Sequence, residues 1–148
     1  MIRSELLAFM RAHRMVVQAS VSGMGAPQAA VVGVVVTDKF EVFFDTLDST
    51  RKIQNLRRNS RIALVIGGLA GGEETTVQYE GIADEPRGTE LEALTDLYFE
   101  QFPDGRERQR WSGLVYVRAR PTWLRYCDFN QVPPIVVELT AAQLERFA

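Results

Sequence analysis

The chain has 148 residues, 46% of them hydrophobic and 24% charged, and a formal net charge of −2. This is the size and composition of one soluble globular domain able to bury a core, and residues 1–148 read as a single domain. The mild acidity argues against a global nucleic-acid or membrane-surface role, and with one cysteine, Cys127, and one histidine, His13, neither an internal disulfide nor a Cys/His metal site is expected.

In chain order, Ser4 can cap a short helix carrying Leu6, Phe9 and Met10 at helical spacing and ending near Arg14. Residues 15–21 read as a strand, and 22–27 (SGMGAP) as a turn. The valine-dense run 29–37 (AAVVGVVVT) is apolar on both faces, as expected of a strand covered on both sides. A turn at Asp38-Lys39 and a returning strand at 40–45 make a β-hairpin with it. After a loop at 46–48, residues 49–59 are expected to be helical, with Ile53 and Leu56 as the apolar pair. A buried strand at 61–66, a glycine-rich loop at 67–73 and an alternating strand at 75–83 follow.

Residues 88–102 carry Leu91, Leu94, Leu97 and Tyr98 on one helical face. Pro103-Asp104-Gly105 ends that helix, and 106–110 read as exposed loop. Strands at 114–120 and 122–128 are divided by Pro121. A last short strand at 135–139 precedes a helix capped by Thr140. About six or seven strands, several sequential, with three or four helices, point to an α+β fold built on a small antiparallel barrel.

Residues 49–72 contain Arg51, Lys52, Arg57, Arg58 and Arg61 and no acid. The run begins where a helix begins, and free N–H groups with the positive dipole end attract anions there. Ser49 and Thr50 add hydroxyls, Arg51 a planar fork suited to phosphate oxygens, and Lys52 a point charge. Basic helices with capping residues also occur without any ligand, so spacing alone leaves both readings open. The Gly-rich signatures of P-loops and dinucleotide folds are missing.

The stretch 42–64 (VFFDTLDSTRKIQNLRRNSRIAL) resembles the central motif of the pyridoxamine 5′-phosphate oxidase-like, FMN-binding split-barrel family. In that motif a strand ends in an aromatic and a small polar residue. Ser/Thr-Arg-Lys then opens a helix, and Asn-Pro-Arg precedes the next strand. Ser60 stands here where proline is usual. The resemblance covers roughly residues 5–128 and implies a split β-barrel with FMN as cofactor. It implies phosphate contacts from Arg51 and Lys52, with Thr50 and Ser49 assisting. Phe44, Asp45 and Thr46 would line the flavin. The segment from Ala30 through Val31, Val32 and Gly33 to Val34 would lie along the ring, mainly through backbone groups, with Thr76 near the ring. Ala29 and Val34 stand where the oxidase has an arginine and a lysine, which weakens the case for vitamin B6 oxidation specifically.

The resemblance further implies a homodimer with flavin at the interface, and an FMN-dependent oxidoreductase acting on a small molecule. Relatives that bind the deazaflavin F420 or haem, and a non-catalytic flavin-binding module, remain alternatives. Arg57 and Arg58 could serve the acidic tail of F420, and His13 is a poor axial ligand for haem. Trp123 and Arg125 share a strand face, and with Trp111 they are candidates to cover a partner's ring, against the plainer reading of core or interface side chains. No apolar run reaches bilayer-spanning length and the first residues lack signal-peptide character, so a cytoplasmic protein is expected.

Overall fold

The computed structural model describes residues 1–148. The elements in chain order are α1 (Arg3–Arg11), β1 (Met15–Val21), β2 (Pro27–Gly33), β3 (Val35–Val36), β4 (Val42–Leu47), α2 (Arg51–Arg58), β5 (Arg61–Gly67), β6 (Thr75–Asp84), α3 (Gly88–Gln101), α4 (Gly105–Arg108), β7 (Leu114–Asp128), β8 (Ile135–Thr140) and α5 (Ala141–Arg146). All pairings are antiparallel, in the order β2-β1-β5-β6-β7-β4-β3, with β8 added to β7. β2 and β3 lie at opposite ends of that path, yet only Val34 separates them in sequence. The sheet must therefore curl until its ends meet. β2 and β4 come together at the closure without sharing a ladder, which leaves a seam. This is an antiparallel split β-barrel of the α+β class, as expected, with eight strands where about six or seven are expected.

The run 29–37 is not one continuous strand. β2 pairs with β1, β3 pairs with β4, and the Val34 N–H donates to the Arg14 carbonyl at the crossing. Nor is β2 covered on both sides: Ala29, Ala30 and Val31 are exposed. β4 starts at Val42 because Phe40 sits at φ +60 in the preceding turn, a conformation that cannot continue a ladder. It extends through Thr46 and Leu47, expected as loop, because these pair with Val115 and Leu114. The two strands expected around Pro121 are one, β7. The register shifts between Glu80 and Gly81 opposite Pro121, so the missing N–H falls at a bulge. Gly81 is needed there, since a Cβ would lie 2.5 Å from the Arg120 carbonyl oxygen. α1 is not capped by Ser4, which lies in its first turn; the Glu5 carboxylate accepts from the Ile2 N–H instead.

The core follows the strand alternation. Val42 and Phe44 of β4 point into the barrel beside Val16, Ile62, Leu64, Val77 and Val117. Phe43, on the other face, packs under α3 against Leu94, Tyr98 and Phe99. Each fully buried side chain of this size contributes roughly 1.5–3 kcal/mol. The same alternation governs β1, where Val16, Gln18 and Ser20 face inward.

Candidate functional site

Five polar or charged residues are buried: Gln18, Ser20, Thr46, Asn55 and Arg118. The first four gather around α2, and that concentration locates the site. α2 leaves the end of β4 and packs Ile53 and Leu56 into the core, which turns Asn55 toward β1 and β2. Asn55 Nδ2 donates to Ser20 Oγ at 3.1 Å and to Gln28 Oε1 at 2.8 Å. The resulting cavity, of about 360 Å³, is lined by Gln18, Ser20, Gln28, Ala29, Ala30, Arg51 and Lys52.

Its positive end is built from α2. The N–H groups of Arg51, Lys52 and Ile53 have no acceptor within the protein. Neither Arg51 nor Lys52 has a carboxylate within ion-pair distance. The Lys52 ammonium lies 3.5 Å from Thr46 Oγ1, and partial burial pushes its pKa below the usual lysine value. Thr50 Oγ1 donates to the Leu47 carbonyl at 2.9 Å and lies 3.1 Å from Thr46 Oγ1, so its proton is committed locally. The polar wall ends in Gln18, 1% exposed, whose Oε1 has no hydrogen-bond partner. Leaving a buried amide oxygen unpaired costs on the order of 1–3 kcal/mol. Two free cations, a free helix start and an orphaned amide in one cavity suit an anion carrying a polar, uncharged extension.

The residues named from sequence divide into groups. Arg51, Lys52 and Ala30 line the cavity, with Thr46 and Thr50 hydrogen-bonded beside Lys52, while Ser49 is exposed and does not line it. Val31 is on the outer face and exposed, Val32 is buried in the barrel, and Gly33 ends β2. Val34 lines a different cavity, with Met10, His13 and Leu97. The Phe44 side chain is wholly within the core. Asp45 faces α3 and α4, where it accepts from the Tyr98 hydroxyl at 3.1 Å and from Arg108 Nε at 2.8 Å. Phe44 and Asp45 therefore have no side-chain access to this cavity. Thr76 pairs with Gly67 and Cys127 and does not line the cavity either.

Arg57 is clamped by both carboxylate oxygens of Glu85, at 2.8 and 3.0 Å, and Arg58 donates to Asn55 Oδ1. His13 is bound at both ring nitrogens, by the Phe9 carbonyl and by Glu73. Trp111 is exposed, and Arg125 pairs with Glu138 at 3.5 Å.

Gln18, Ser20, Gln28 and Asn55 were not singled out by sequence reasoning. A signal for two of them exists: Gln18 and Ser20 fall on the inward phase of a strand whose other inward residue is Val16. Polar residues at core positions call for partners. Arg108, in a run read as exposed loop, instead lies in α4 and ties it to Asp45 and Asp104.

A closed antiparallel cylinder, split along a seam beside a basic helix start, defines the split-barrel class. The family model for pyridoxamine 5′-phosphate oxidase matches residues 2–128, and the chain belongs to that family. Among solved structures, it is similar to a haem-binding protein from Mycobacterium smegmatis (TM-score 0.82, 16% identity, covering 97% of this chain and 60% of that one). It is also similar to the haem storage protein HutZ from Vibrio cholerae (TM-score 0.69, 16% identity, 81% and 89% covered). A third is a pyridoxamine 5′-phosphate oxidase-related, FMN-binding protein from Nostoc punctiforme (TM-score 0.69, 10% identity, 93% and 87% covered). At these identities the likeness concerns the fold. The chain spans 60% of the length of the Mycobacterium smegmatis protein. A search of curated proteins matched none of them. No helix is long and apolar enough to cross a membrane.

Proposed function

We propose that this chain binds FMN, with the phosphate on the start of α2 between Arg51 and Lys52, and that it works as a homodimeric oxidoreductase on a small molecule. The observation that carries the reading is the pair of cations without carboxylate partners beside three free N–H groups, in a cavity that also holds the unpaired Gln18 amide. The residues present fit the cofactor: a phosphate dianion matches the charge, and a cavity of about 360 Å³ falls within the usual range for ligand sites. β2 supports the proposed ring position. Ending the strand order at the seam, it keeps one backbone edge without a ladder partner for a flat heterocycle. FMN, when bound, supplies hydride and electron transfer, and the protein positions it.

The dimer rests on the outer face of the sheet. Val31, Val17 and Val65 lie side by side across β2, β1 and β5, and so do Ala29, Ala19 and Ala63. Met15, Val31 and Val65 are 50%, 54% and 39% exposed, which makes an apolar face on the strand that flanks the cavity.

Titration of the purified protein with FMN and riboflavin, followed by flavin fluorescence, tests the reading. FMN is expected to bind more tightly than riboflavin. Arg51→Ala should weaken FMN by roughly 30-fold, the equivalent of about 2 kcal/mol for a charge-assisted contact, and leave riboflavin nearly unchanged. No affinity for added FMN, with F420 or haemin bound in its place, would overturn it. Against F420, Arg57 is already committed to Glu85. Against haem, both nitrogens of His13 are occupied.

A further inference from the structure

Gln18 sits where the alternation of β1 calls for an apolar side chain, between inward Val16 and inward Ser20. It is 1% exposed, lines the cavity at α2, and its Oε1 has no partner in the protein. Its neighbours across the ladder, Ala30 opposite Gln18 and Gln28 opposite Ser20, line the same cavity. Ser20 Oγ and Gln28 Oε1 both accept from Asn55. The Ser20 proton and the Gln28 amide N–H groups stay free to donate. The wall is thus a row of uncharged groups able both to donate and to accept, next to two cations. A turn of the Gln18 amide about its last bond exchanges acceptor for donor. A hydroxyl, which also does both, suits either orientation. A flavin ring edge also donates and accepts, so the choice of the chain rests on place: Gln18 shares one cavity with Arg51 and Lys52, next to the phosphate.

We infer that Gln18, with Ser20 and Gln28 beside it, is a specificity residue for the hydroxylated chain of a phosphorylated polyol ligand. The inference rests on the FMN reading, in which that chain is the ribityl group between phosphate and ring. Arg51 and Lys52 hold the phosphate. Gln18 reads the hydroxyls and discriminates against phosphorylated ligands whose linker lacks them.

The experiment measures three ligands, FMN, riboflavin and lumiflavin, against the wild type, Gln18→Leu and Arg51→Ala. Lumiflavin keeps the ring and lacks both hydroxylated chain and phosphate. Gln18→Leu should weaken FMN and riboflavin by about 10-fold each and leave lumiflavin unchanged, the size of one lost hydrogen bond. Arg51→Ala should weaken FMN alone. The unliganded Gln18→Leu protein should melt at the same temperature as the wild type or higher, because an unpaired buried amide has been replaced by an apolar group of similar size. A merely structural glutamine would lower that melting temperature. Should Gln18→Leu not fold, Gln18→Met, unbranched and similar in length, carries the same comparison. Unchanged FMN and riboflavin affinity in the Gln18 variant, or an equal loss for lumiflavin, overturns the inference and leaves FMN binding standing. Failure of the wild type to bind FMN at all overturns both.

Discussion

Arg118 is the one buried charge in the barrel wall. Its side chain is 6% exposed and lies 2.8 Å from Asp84, 3.2 Å from Glu90 and 3.9 Å from Glu41. Removing the cation would leave Glu90 without a partner, and Asp84 and Glu41 with only the half-exposed Arg120, at 3.1 and 3.6 Å. Breaking a buried pair in this way costs about 3–5 kcal/mol, and the exposure of Glu90 favours the lower figure. Arg118→Ala is expected to lose about 3 kcal/mol in urea unfolding; a loss below 1 kcal/mol would show the cluster to be solvated. Acid stability is also set residue by residue. The hydrogen bond from His13 holds Glu73 below its usual 4.5, the hydrogen bond from Arg57 does the same for Glu85, and the Asn130 N–H holds Asp128 below 3.8. A carboxylate lowered by folding contributes stability that is present above its ordinary value and is lost as pH falls through the lowered one. Melting temperatures should therefore hold from pH 7 to about 5 and fall below about 4. A Glu73→Gln, Glu85→Gln, Asp128→Asn triple variant should flatten that fall, and an unchanged acid slope would refute the assignment.

At the scale of elements, the segment from α4 to the start of β7 decides how the approach to α2 is framed. Arg108 ties α4 to Asp45 of β4 and to Asp104, with the Tyr98 hydroxyl alongside. At the segment's other end the Asp48 N–H donates to the Gly113 carbonyl, two residues before the N-cap of α2. Gly113 has φ +80, and a Cβ there would meet the Asp48 carboxylate at 2.5 Å. Arg108→Ala should thus speed amide hydrogen exchange across 104–112 while exchange in β5 and β6 stays as it was. Spread of the faster exchange into the barrel strands would mean that α4 is part of the core and not a strap over it. The segment's polarity (GRERQR) concealed this. A run rich in charge reads as solvated until its partner, here a carboxylate 63 residues away, is brought beside it.

At the scale of the whole molecule, the apolar outer face of β2, β1 and β5 is the surface that the proposed dimer would cover. Val65→Glu places a carboxylate at the β5 end of the row Val31, Val17, Val65 without touching the inward core. It is expected to convert a dimer to monomers in light scattering coupled to gel filtration, and to weaken FMN by at least 10-fold if the partner completes the site. A monomeric wild type would rule the dimer out.

Periodicity and turn chemistry in the sequence were enough to define the alternating strands, the Leu91–Leu94–Tyr98 face of α3, the Thr140 cap and the basic start of α2, because each depends on neighbours within a few residues. The family resemblance placed the fold in the right class. Closure of the cylinder was beyond that reach. Splitting 29–37 at Val34 depends on the two ends of a seven-strand path meeting, and a local window carries no information about a contact between β2 and β4. Tertiary structure alone turned Phe44 and Asp45 away from the cavity, committed Arg57 to Glu85, and brought Arg51 and Lys52, both without a carboxylate partner, together with the unpaired Gln18 Oε1. Whether a charge or an amide is satisfied depends on groups distant in sequence, so the residues open to a ligand emerge only when the chain is folded.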